Sequence, residues 1–155
     1  MTTWASGPEP DLEVRRWIYE RFAEADEAPT ASDIAAVFGI EPAKAEASLV
    51  RLERERDALV LWPGTTSIWM AEPFSAVPTS FRVRALDGRA WWGNCIWDAL
   101  GILALLRTDG EVETRCPDCD QTLVVELRDA ALSGERLVVH FAVPAAEWWR
   151  DIGFT

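Results

Sequence analysis

The chain of 155 residues is 49% hydrophobic and 26% charged, enough for about one domain with a packed core, and this balance excludes a disordered polymer. A formal charge of −11 argues against nucleic acid as a partner, because phosphate is met by a basic face. No apolar run approaches the ~18 residues of a membrane span and the first residues lack a basic, apolar leader, so a cytoplasmic protein without membrane attachment is expected.

From Asp11 to about Ala28, the residues Val14, Ile18, Phe22 and Ala25 recur at helical spacing with Trp17 beside them, and Pro29 ends the run. Ser32 is placed to cap a short helix through Phe38, which Gly39 would stop. Pro42 suits the first turn of a third helix with Ala45, Leu49 and Leu52 on one face. Glu46, Arg51, Glu53, Arg54, Glu55 and Arg56 are expected to stay wet on the other. Leu59 to Trp62, a Pro63-Gly64 turn and Ser67 to Met70 read as a hairpin. Three helices and a hairpin make the pattern of a winged helix. Residues 1–70 carry seven basic against thirteen acidic side chains, and in the third helix each Glu would face phosphate. The module therefore reads as structural or dimerising, with an acidic winged-helix regulator as the weaker alternative.

Residues 71–80 form a proline-marked connector, which divides the chain into modules 1–72 and 73–155. Phe81 to Ala85 alternates like a strand, Leu86 to Arg89 is a turn containing Asp87-Gly88, and Ala90 to Trp92 is a second strand. Asn94 is expected to cap a helix from Cys95 to about Leu106. Strands are expected over 111–115, 122–127 and 136–143, the first two joined by Cys116-Pro117-Asp118-Cys119-Asp120, with a short helix-like end at 145–149. The fold class is α+β: a winged-helix-like three-helix module, then a small mixed α/β domain with a central helix.

Cys95 and Asp98 lie three apart at the start of that helix, so a thiol and a carboxyl share one face. A helix N-terminus favours anions and would lower the pKa of Cys95. The plainer alternative is a small core filler, since cysteine before an apolar run is usually buried. Five of the nine tryptophans cluster, at 91, 92 and 97 and at 148 and 149; Trp92 and Trp97, beside the helix start, are expected to shape an apolar pocket. Three cysteines without a leader read as free thiols or metal ligands and not as a disulfide framework. Cys116-x-x-Cys119 is half of a zinc site, which Cys95 and the single histidine, His140, could complete in number. A redox role fits less well in a turn, and His140, flanked by Val138, Val139 and Phe141, reads as a half-buried strand residue ahead of a ligand. No phosphate loop, Ser/His/Asp set or His-Glu-x-x-His stretch is present.

Taken together, Pro73-x-x-x-x-Pro78-Thr79 before Phe81-Arg82-Val83, Asp87-Gly88-Arg89 leading to Cys95-x-x-Asp98-Ala99-Leu100, Cys116-Pro117, and His140-Phe141 before Val143-Pro144-Ala145-Ala146-Glu147-Trp148 resemble the alkylmercury lyases. The resemblance implies an N-terminal winged-helix-like region, no required cofactor, and a small-molecule substrate of which mercury is part. It implies that Cys95 ligates mercury, with Asp98 delivering a proton to carbon so that the carbon–mercury bond breaks. Cys116 matches a family cysteine without an assigned chemical role. The family's second catalytic cysteine falls where this chain reads Leu137-Val138-Val139-His140, with no thiol. Cys119 or Cys116 is then the candidate second thiolate; the alternative is a non-catalytic mercury- or zinc-binding sensor.

Overall fold

A computed structural model describes residues 8–56, 59–133 and 137–152. The chain is α+β. Helices α1 (Pro8–Ala25), α2 (Ala31–Phe38) and α3 (Pro42–Arg56) precede strands β1 (Val60–Leu61), β2 (Ile68–Ala71) and β3 (Phe74–Ser75), which form an antiparallel sheet in the order β1-β2-β3. Strands β4 (Arg82–Ala85) and β5 (Ala90–Trp92), helix α4 (Ile96–Leu105), and strands β6 (Gly110–Arg115), β7 (Thr122–Arg128) and β8 (Ala131–Ser133) follow. The second sheet is antiparallel with the order β5-β4-β6-β7-β8, and a 3₁₀ segment, Ala145–Arg150, lies near the end.

The helical period does what it implies: Val14, Ile18 and Phe22 of α1 and Ala45, Leu49 and Leu52 of α3 are fully buried. Between these faces Asp11 is buried and accepts from Ser48 Oγ at 2.6 Å and from Arg51 Nε and a terminal guanidinium nitrogen at 2.7 and 2.8 Å. Arg51 stays wet as expected, its side chain 41% exposed, but is committed to a bidentate pair, because a buried carboxylate must be matched by charge and hydrogen bonds. Glu53 likewise accepts the Leu61 N–H at 2.9 Å and anchors β1 to α3. The cap of α2 is Thr30, not Ser32: its hydroxyl accepts from Asp33 N, while the Asp33 carboxylate accepts from Thr30 N at 2.8 Å, a reciprocal capping box. Gly39 ends α2 at φ 64°, as its freedom from a Cβ allows.

The proline-marked stretch contains β3, which pairs with β2 through Ala71 and Phe74 around the cis Glu72–Pro73 peptide. Phe74 stacks on Phe22 with centroids 5.7 Å apart, and the buried Trp91 donates its indole N–H to the Phe22 carbonyl at 2.9 Å. These contacts join α1 to β5, and buried side chains from before and after residue 72 form one cluster. Helix α4 places Ala99, Ile102 and Leu103 in that cluster against β4 and β6.

Residues 137–143 are not a strand. The second sheet ends in β8, three residues that follow a tight turn with Asp129 and Ala130 at positive φ, so β7 already has its neighbour. The apolar run pairs with no strand among the described residues, and Val138 is 92% exposed. Residue 136, the start of the expected strand, lies outside the described residues.

Candidate functional site

The start of α4 is held by close backbone packing. Gly93 lies where a Cβ would fall 2.7 Å from the backbone nitrogen of Ala99, so only glycine lets the helix begin against the end of β5. Gly93 N–H donates to the Phe81 carbonyl at 3.0 Å, and its own carbonyl accepts from Thr79 Oγ at 2.5 Å. Asn94 donates to the Pro73 carbonyl at 3.5 Å. The helix cap is Cys95 and not the expected Asn94: the extended Cys95 backbone brings its sulfur to the Asp98 N–H at 3.5 Å.

The thiol and the carboxyl meet in both directions. While Asp98 N–H donates to Cys95 Sγ, the Cys95 thiol donates to Asp98 Oδ2 at 3.3 Å. Burial pushes Asp98 above the usual carboxylate range, against the hydrogen bonds from Cys95 and Asn94. Burial, with the adjacent Asp98 charge, pushes the Cys95 thiol up to about 11, and the Asp98 and Trp97 N–H groups that oppose this do not overcome it. The expected lowering of Cys95 by the helix N-terminus is therefore reversed: desolvation outweighs the backbone donors. At neutral pH Cys95 is a thiol with a carboxyl positioned to take its proton. Nor is it merely core filler, being only half-buried in a cavity wall.

That cavity, of about 180 Å³, is lined on one side by Glu72, Asn94, Cys95, Trp97 and Asp98 and on the other by Phe141, Trp148 and Ile152. Burial first, and then the Asp98 charge, raises the pKa of Glu72. The cavity adjoins an apolar hollow of about 700 Å³ that shares Trp97, Phe141 and Trp148 and continues along Ala142 to Ala145. Phe141 and Trp148 lie 5.0 Å apart, and the Trp148 indole donates to the Val143 carbonyl at 3.1 Å, so the wall is a compact local unit.

Of the two tryptophans expected at the pocket, Trp97 lines it and is 71% exposed. Trp92 does not: it lies under the Arg82 guanidinium at 4.4 Å, on the opposite sheet face from the buried Trp91. Glu72 and Ile152 carry no sequence signal; Asn94 reads from sequence only as a cap, and Phe141 and Trp148 only as parts of the His140-to-Trp148 motif and the 148–149 tryptophan cluster.

The expected zinc set is not assembled. Among the described residues no three or more His, Cys, Asp or Glu side chains converge to hold a metal. Strand β4 lies between β5, which leads to Cys95, and β6, which leads to Cys116, so those chain segments are about 10 Å apart. Cys116 and Cys119 line neither the cavity nor the hollow, and His140 is exposed in an unpaired segment. No helix among the described residues is long and apolar enough to cross a membrane.

Residues 74–155 match the model of the family described as "MerB: Alkylmercury lyase", just over half of the chain. Among solved structures the chain is similar to the "mercury-bound form of MerB2", with 21% identity and a TM-score of 0.63 over 83% of this chain and 61% of that one. The likeness is one of fold, it reaches into the helical half, and the chain spans less than two thirds of that relative's length. No curated protein matches the chain.

Proposed function

The chain belongs to the alkylmercury lyase family, and from that premise we propose that it is an enzyme cleaving a carbon–mercury bond by protonolysis, with Cys95 as mercury ligand and Asp98 as acid. The observation that carries this reading is the 3.3 Å contact between a thiol and a carboxyl in the wall of a largely apolar cavity. The substrate is a small organomercurial carried as a thiol adduct, R–Hg–SR′. The organic group R suits the apolar hollow, and the reaction takes place in the cytoplasm, where thiols stay reduced.

The Cys95 thiol gives its proton to the Asp98 carboxylate as the new sulfur–mercury bond forms and R′S⁻ is displaced. Asp98, now a carboxylic acid, protonates the carbon; R–H leaves, and the mercury left on Cys95 takes back R′S⁻. A further monothiol R′SH then exchanges with Cys95, releasing Hg(SR′)₂ and restoring the thiol. Because Cys116 and Cys119 do not line the cavity, the second thiolate in this scheme is the free monothiol, in place of the family's second cysteine. Asn94, beside Asp98 in the cavity wall, and Trp97, which lines both the cavity and the hollow, orient the acid and the organic group.

The test is release of benzene from phenylmercury by reduced protein in excess monothiol. Many turnovers are expected, with loss of turnover in Cys95→Ser and a fall of at least about 10²-fold in Asp98→Asn, the usual scale for a lost general acid. Binding of phenylmercury without benzene, or full activity in either variant, overturns the assigned roles.

A further inference from the structure

The β6–β7 turn carries two thiols that the cavity does not use. Cys116 N–H donates to the Gln121 carbonyl and Asp120 N–H to the Cys116 carbonyl, each at 2.9 Å, which closes the six-residue turn on itself. Outside it, the Arg115 guanidinium holds the Asp120 carboxylate at 2.5 Å and its carbonyl at 3.3 Å. The bond from Asp120 N–H to the Cys116 carbonyl makes residues 116–120 one backbone turn, in which Cys116 and Cys119, three apart, come to the same side. Two free thiols thus share one short closed turn, one half-buried and one exposed.

We propose that Cys116 and Cys119 form a second, surface metal site, separate from the Cys95 cavity, for a soft cation content with two thiolate ligands, such as the mercuric ion. Binding forms two sulfur–metal bonds and releases two thiol protons to water. The donor supply sets the selectivity. A four-coordinate zinc ion finds too few ligands, since no third His, Cys, Asp or Glu joins the pair among the described residues. A soft two-coordinate ion needs only sulfur, and the held turn spares it the entropy of gathering two separate thiols.

The pair can be tested without turnover, so the outcome does not depend on the lyase reading. Reduced full-length Cys95→Ser protein is loaded with mercuric chloride, desalted against excess glutathione and assayed for bound mercury. One equivalent per chain is expected to remain, and Cys95→Ser/Cys116→Ser and Cys95→Ser/Cys119→Ser are each expected to retain at least about tenfold less, because a lone thiol has no chelate advantage over glutathione. No retention by Cys95→Ser, or equal retention after removal of either turn cysteine, overturns the proposal.

Discussion

Cys95 and Asp98 constrain each other through one sulfur and one carboxylate, so their titrations cannot be treated singly. Burial is the largest cause in both, and the Asp98 charge adds to the cost of a thiolate next to it. Asp98→Asn keeps the backbone N–H that caps the sulfur but removes that negative charge and the acceptor of the thiol proton. The Cys95 pKa should then fall from about 11. The rate of iodoacetamide alkylation against pH reads this directly: the inflection moves to lower pH in the variant. An inflection that stays or rises would mean that Asp98 does not hold the thiol protonated.

At the scale of elements, Gly93 is the position on which the site depends. An added methyl meets the backbone of Ala99, at 2.7 Å from its nitrogen and 2.8 Å from its Cα, and backbone cannot swing aside as a side-chain end can. Gly93→Ala should cost about 1–3 kcal/mol of stability, the range for overpacking, read by urea denaturation. Turnover should fall more than tenfold, because the displaced helix start carries both Cys95 and Asp98. Wild-type stability and turnover together would show that the helix start tolerates the methyl. The elements whose period recurs over several turns or pairs, α1, α3, α4 and β4 to β7, were legible in the sequence. Caps were misplaced where two residues able to cap lie close together, Thr30 against Ser32 and Cys95 against Asn94. β3 was hidden in a proline-rich stretch, and the strand over 136–143 failed because pairing is a property of the sheet and not of the segment. The site divides in the same way. Cys95 and Asp98 are three residues apart and could be read locally, whereas Glu72, Phe141, Trp148 and Ile152 reach the cavity only through tertiary folding.

At the scale of the whole molecule, burial has placed several carboxyls where ionisation is costly. Asp26, Glu72 and Asp98 are all raised with burial as the leading cause; Asp26 stays raised despite Arg82 at 3.1 Å and has one buried oxygen without a partner among the described residues. A carboxyl raised in the folded state stabilises the fold when protonated. That contribution is complete below the unfolded value of about 4 and is lost as pH rises through the higher folded value. Asp33 and Asp87 act oppositely, being lowered by hydrogen bonds from Thr30 and Arg89, and their contribution is lost only as pH falls below the ordinary carboxylate range. Between neutral pH and the ordinary carboxylate range the raised group therefore governs, and partial protonation also relieves the self-repulsion of a chain with formal charge −11. The Tm, followed by circular dichroism at fixed ionic strength, should rise as pH falls from neutral toward the ordinary carboxylate range and turn down below about 4. In Asp98→Asn the rise should be smaller, since the amide is neutral throughout. A Tm that falls steadily as pH drops from neutral toward the ordinary carboxylate range would mean that the cavity carboxyls are not raised in the fold, and the acid assigned to Asp98 would lose its physical basis.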